Sequence, residues 1–114
     1  METVTHIIHD RDDRHQRTLG YRIVGVGEPA GTINVICAET RCHPNDSFTK
    51  GVARGHVNAR LDSYQRGARS NKLRVFETHL ARNEPTNAQE YRDLESILLE
   101  MADIRLPRPA ALRS

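Results

Sequence analysis

Three stretches near the N-terminus, Val4–His9, Arg17–Val26 and Thr32–Thr40, are rich in β-branched residues and are separated by turn-forming breaks at Asp10–Arg14 and Gly27–Gly31. That is the pattern of a β-meander. Side chains alternate across a strand, so Ile33, Val35 and Cys37 share one face of the third strand while Ile36 and Ala38 share the other. In the first strand Val4 and Ile8 oppose Ile7. Neither face is purely polar. A sheet apolar on both faces is covered on both, and with few residues left over a second subunit is a candidate for one cover.

After the loop Arg41–Asp46 the pattern turns helical, with Asp46 or Ser47 as N-cap, and continues to about Arg66. Gly51, Gly55 and Ala59 recur at intervals of four, which leaves one flank without side chains and open to a backbone or a flat ligand. Two internal glycines cost roughly 1 kcal/mol each, so something must offset them. Phe48 and Val52 lie beside this flank, whereas Ala53, Val57, Leu61 and Tyr64 fall opposite. Gly67–Asn71 reads as a flexible linker, and Lys72–Leu80 as either a short strand or a turn of helix. Pro85 and Thr86 start the last helix, where Thr86 with Gln89 matches a capping box and Tyr91, Leu94, Leu98, Met101 and Ala102 form one apolar stripe. The tail Leu106–Ser114 contains Pro107 and Pro109 and is expected to fray or drape over a neighbour. The expected architecture is α+β and oligomeric: an N-terminal antiparallel β-meander of three or four strands followed by two helices. It forms a single domain over residues 1–105 with a proline-containing tail over 106–114.

Length agrees with one domain, because 114 residues and 12.9 kDa match the usual size of about 100–200 residues. A large multidomain enzyme is excluded. Tyr21, Phe48, Tyr64, Phe76 and Tyr91 are the aromatic residues and Trp is absent, so the core is thin. No run approaches the ~18 apolar residues of a membrane span, and the opening METVTHIIHDRDDR lacks the features of a secretory signal. A cytoplasmic protein, in the host cell, with no membrane partner is the expectation.

The net charge of +2 conceals a pattern. Residues 1–40 hold 4 Arg against 6 acids, residues 75–114 hold 5 Arg against 7 acids, and residues 41–74 hold 8 basic side chains against Asp46 and Asp62, giving +6. An anionic partner is implied. Of the 17 basic residues 15 are Arg, whose planar fork grips phosphate bidentately, although a GC-rich coding sequence produces the same bias.

Chemistry is sparse. Cys37, Cys42 and His43, with His6, His9 and His15 nearby in sequence, lack the paired spacing of a zinc site, and Cys37 shares a face with Ile33 and Val35 as a buried thiol would. Cys42 or Ser47 beside His43, with Asp46 as orienter, has no elbow or oxyanion loop around it. Asp10, Asp12 and Asp13 among Arg11 and Arg14 read as a solvated hairpin loop. Phosphate-loop and dinucleotide fingerprints are absent, so neither a cofactor nor an enzymatic role is expected. The remaining feature is the basic helix with the segment after it, which together carry Lys50, Arg54, Arg60, Arg66, Arg69 and Arg74. It suits a solvated face, a nucleic-acid surface or a pocket for a phosphorylated small molecule. Tyr64 and Phe76 are too few for a long single-strand track and enough for one base, which favours a small nucleotide.

The run Cys42-His43-Pro44-Asn45-Asp46-Ser47-Phe48, followed by Gly51 or Gly55 and then Ala59-Arg60-Leu61, resembles a pattern of small phage-encoded proteins: strand, C-x-P-x-D-x-F, glycine, and an A-x-x-R-L-like helix. It covers about residues 32–64 and is similar to the Thoeris anti-defence sponges of the first type. The resemblance implies a non-enzymatic phage or prophage protein that sequesters cyclic ADP-ribose isomers made by TIR-domain proteins. It also implies pockets shared between subunits of a homo-oligomer, with Arg on the phosphates and an aromatic under the base. The chemistry of such a site nominates Arg54, Arg60, Arg74, Phe76, Asn87 and Arg92 as ligand-binding residues, with none carried over from the family. The alternative is a small basic interaction module, anti-CRISPR-like or another phage inhibitor, that binds nucleic acid or a host protein. A similar order occurs in an actinobacterial family with a double-stranded-RNA-binding-like fold, but that fold begins with a helix where this chain begins with a strand.

Overall fold

The computed structural model describes residues 3–10, 16–27, 31–41, 49–70 and 72–106. Along them run β1 (His6–Asp10), β2 (Arg17–Gly27), β3 (Thr32–Arg41), α1 (Lys50–Gln65), β4 (Val75–Leu80) and α2 (Ala88–Arg105). The strands form one antiparallel sheet in the order β1-β2-β3-β4. The first three strands lie within two residues of the bounds that β-branched alternation predicts. The fourth decides the open reading of Lys72–Leu80: a turn, then a strand paired with β3 from Ala38↔Val75 to Ile33↔Leu80. Thus the sheet does not precede both helices in sequence, because α1 is inserted between two adjacent strands.

The alternation sorts the core into two layers. Leu19, Tyr21, Ile33, Val35, Cys37 and Phe76 face α2, where they meet Leu94, Leu98, Ala102 and Leu106. On the other face Ile36 and Ala38 meet Val57 and Leu61 of α1, with Ile7, Tyr64 and Val75 packed around them. Both faces of the sheet are therefore covered by helices of this chain. At Gly20 α1 comes close to the sheet, since a Cβ there would lie 3.0 Å from Val57 Cγ2. Arg22, buried on the same face, then ties the helix down: it donates to Asn58 Oδ1 (3.2 Å), Gln65 Oε1 (2.5 Å) and Thr5 Oγ1 (2.7 Å), and pairs with Asp62 (2.8 Å).

Helix termini differ from expectation by small shifts with local causes. Helix α1 begins after Thr49, whose carbonyl accepts from the Ala53 N–H, and Thr49 makes no side-chain cap; Asp46 and Ser47 lie outside the described residues, as does Phe48. Its far end closes with Gly67 at φ +96°, where the Gly67 N–H bonds Tyr64 O and the Ala68 N–H bonds Ser63 O, the paired bonds of a Schellman motif. Helix α2 is capped one residue later than the Thr86/Gln89 pattern suggests. Asn87 accepts from the Glu90 N–H, and the Glu90 carboxylate reaches back to the Thr86 N–H and hydroxyl. Leu106, expected in a loose tail, is buried in the α2 layer and its N–H bonds Ala102 O, while residues 107–114 lie outside the described residues. No helix among the described residues is long and apolar enough to cross a membrane.

Candidate functional site

At the end of β3 an acid stands on a face otherwise made of Ile33, Val35 and Cys37. Glu39 is fully buried. Taking an ionised carboxylate out of water costs several kcal/mol unless charged donors surround it, and three guanidiniums do so here. Arg74 Nη2 lies 2.7 Å from Glu39 Oε1, Arg41 Nε lies 2.8 Å from the same oxygen, and Arg17 Nη1 lies 3.3 Å from Oε2.

Sheet register explains the convergence. Arg17 pairs with Arg41 across β2 and β3 and with Asp10 across β1 and β2, and Leu19 pairs with Glu39 one row above. Two arginines directly opposite repel, and Asp10, Glu39 and Asp103 of α2 neutralise them: Arg17 binds Asp10 at 2.8 Å and Asp103 at 2.5 Å. Burial alone would lower the pKa of Arg17, but its hydrogen bonds to Asp103 and Asp10, with the charges of Asp103 and Glu39, outweigh burial and raise it. Asp10, expected in a solvated hairpin loop, is thus an ion-pair partner at the end of β1, whereas Asp12 and Asp13 lie outside the described residues.

The loop before β4 supplies the next two groups. Arg74 has φ +51°, a left-handed conformation unusual for a non-glycine residue, and from it the guanidinium reaches both Glu39 and the Leu106 carbonyl (3.1 Å). Its own carbonyl accepts from the Glu39 N–H (3.0 Å). From α1, Arg60 donates to the Glu39 carbonyl oxygen. Burial lowers the pKa of Arg60 and the neighbouring charge of Arg74 lowers it further, against an opposing pull from Glu39. Two like charges are therefore anchored on one residue, Arg60 on the Glu39 carbonyl and Arg74 on its carboxylate, near enough for the charge of Arg74 to oppose that of Arg60.

Of the residues nominated by sequence, Arg60 and Arg74 meet at Glu39 and the other four are elsewhere. Phe76 is 6% exposed inside the α2 layer, so its ring faces core side chains. Asn87 is occupied as the N-cap of α2, Arg92 is exposed and bonds Gln89, and Arg54 is exposed on α1. Tyr64 is half-buried, with Arg69 stacked 3.9 Å from the ring centroid and its hydroxyl donating to Glu77 (3.2 Å). Sequence reading missed Glu39, Arg17 and Arg22. The signal for Glu39 was present, since an acid on the same strand face as three apolar residues must find a charged partner.

The histidines and cysteines separate. His6 stacks on Tyr21 at 4.9 Å, while His9, on the opposite face of β1, bonds Thr18 Oγ1. Burial pushes the Cys37 thiol far up, so it stays protonated. Cys42, His43 and His15 lie outside the described residues, and among the described ones no three His, Cys, Asp or Glu side chains gather in a metal-binding group. Comparison with protein-family models, with curated proteins and with solved structures finds no match for this chain.

Proposed function

We propose that the protein binds a small phosphorylated nucleotide of the cyclic ADP-ribose type and holds it without chemistry, acting as an anti-defence sponge. The observation that carries this reading is the Arg60–Arg74 pair: two guanidiniums from different elements, both anchored on Glu39, with Arg74's charge opposing that of Arg60. A phosphate beside them relieves the repulsion, and the planar fork of an arginine matches phosphate oxygens bidentately. Fixing both forks on Glu39 beforehand lowers the ordering cost of binding.

Calorimetric titration with cyclic ADP-ribose tests it, followed by denaturation and mass analysis of the released ligand. Binding of an unmodified nucleotide, weakened at least tenfold in Arg60→Ala, is the expected result; recovery of a modified nucleotide, or no binding, overturns it. A second reading has its own observation. Arg66, Arg69 and Lys72 are exposed just beyond α1, with Arg69 stacked on Tyr64, which suits a nucleic-acid backbone with one stacked base. Under that reading affinity for an oligonucleotide falls steeply with salt and depends on Arg66 and Arg69, whereas the nucleotide site responds weakly to salt.

A further inference from the structure

Strand β4 ends the sheet, and its outer side has no neighbouring strand among the described residues. The Glu39 N–H bonds the Arg74 carbonyl, which makes Glu39/Arg74 a hydrogen-bonded pair of the antiparallel ladder. By alternation Phe76, Thr78 and Leu80 turn their backbone groups toward β3, and Val75, Glu77 and His79 turn theirs outward. Such a row is a template for another strand unless something blocks it. Here the exposed side chains along it are one acid and one imidazole, two residues apart on the same face.

Neither has an oppositely charged partner in the chain among the described residues. Glu77 accepts from the neutral Tyr64 hydroxyl, and His79 faces the neutral Asn34 amide oxygen. The opposite edge differs. On β1, His6 stacks on Tyr21 and meets Tyr91 at a tilt, and Asp10 is bound to Arg17.

We infer that the occupant of the β4 edge is β4 of a second copy of this chain, paired antiparallel about a two-fold axis at Thr78. Four registers, centred on Phe76, Glu77, Thr78 or His79, keep the outward backbone groups facing one another near the middle of the strand, and centring on Phe76 sets apolar Val75 against Glu77. Centring on Glu77 sets acid against acid, and centring on His79 sets imidazole against imidazole. Centring on Thr78 sets Glu77 against the His79 of the other copy, twice by symmetry, and each such pair exchanges both backbone hydrogen bonds. On the opposite face the same register places Phe76 against Leu80 and Thr78 against Thr78, extending the apolar layer beneath α2 across the junction. One register thus satisfies charge, backbone and apolar contact together, and two four-stranded sheets become one of eight.

This inference is independent of the ligand reading, since it uses none of the guanidiniums around Glu39. Sedimentation analysis of the full chain over a concentration series tests it. A dimer is expected. His79→Glu sets acid against acid and weakens the dimer about tenfold, whereas the swap Glu77→His with His79→Glu regenerates the complementary pair and restores it. Circular dichroism on each variant verifies that the monomer stays folded. If His79→Glu fails to fold, Glu77→Lys, which sets ammonium against imidazole, takes its place, with weakening again expected. A monomer at every concentration overturns the inference and leaves the edge to a strand from a different protein. So does a dimer indifferent to the charge change, or a swap that does not restore it.

Discussion

Glu39 shows how one residue organises its surroundings. With its carboxylate replaced by a neutral amide, Arg17, Arg41 and Arg74 remain around a centre that no longer cancels their charge. Breaking a buried ion pair by removing one partner usually costs about 3–5 kcal/mol. Glu39→Gln is therefore expected to lower the unfolding free energy in a urea titration by that amount, far more than the same change at exposed Glu84. Tyr21 acts through its proton. It is fully buried and donates to Glu95 at 3.1 Å, and burial first, then the charge and hydrogen bond of Glu95, push its pKa far up. Above pH ~10 the unfolded chain loses this proton and the folded chain keeps it, so the unfolded state binds fewer protons and stability falls as pH rises, by about 1.4 kcal/mol per unit. Cys37 adds a dependence of the same sign from about pH 8.5. Tyr21→Phe is expected to flatten the alkaline limb of the stability curve while costing about 1 kcal/mol at neutral pH for the lost bond to Glu95.

Among the elements, α1 combines a well-seated inner face with an open outer one. Ala53, Val57 and Leu61 are buried, whereas a Cβ added at Gly51 or Gly55 meets nothing within 4 Å. Nothing in the described chain exploits the space those glycines leave. Replacing either with Ala then removes backbone freedom from the unfolded state at no steric cost. Gly55→Ala is expected to raise the melting temperature, with a gain of up to about 1 kcal/mol. Reduced nucleotide binding in the same variant would place the ligand on this flank and separate the effect from stability. Helix α2 is more self-sufficient, because Asn87 and Glu90 close its start and Leu94, Leu98 and Ala102 form one stripe. Its apolar stripe was legible because helical periodicity is local. The cap was misplaced by one residue because Thr86 and Asn87 are both good caps, and only the backbone bond to Glu90 distinguishes them.

At the level of the whole molecule, one sheet carries two cores, and each helix seals one of them. Leu98 is fully buried among sheet residues from three strands, so Leu98→Ala is expected to cost about 2–5 kcal/mol in denaturant unfolding. A single cooperative transition by both circular dichroism and tyrosine fluorescence would show that the two layers unfold together. The positive segment is divided by the same architecture. Arg41, Arg60 and Arg74 turn inward to Glu39, while Lys50, Arg54, Arg66, Arg69 and Lys72 stay outside. Of the eight cations in that segment, Arg41 and Arg74 are therefore held in ion pairs with Glu39 and Arg60 on its backbone carbonyl, while the other five keep the segment's outer surface positive.

What the sequence determined by itself is whatever depends on neighbours a few residues apart: strand alternation with its two apolar faces, the stripes of both helices, and the break at Gly67. The tertiary structure alone decided what joins distant positions. Glu39 meets Arg17 and Arg74 across 22 and 35 residues, Val57 fits against Gly20, and β4 returns beside β3 after the α1 excursion. Those contacts arise from sheet register and helix placement, which are settled by burying both faces at once and leave no periodic trace along the chain.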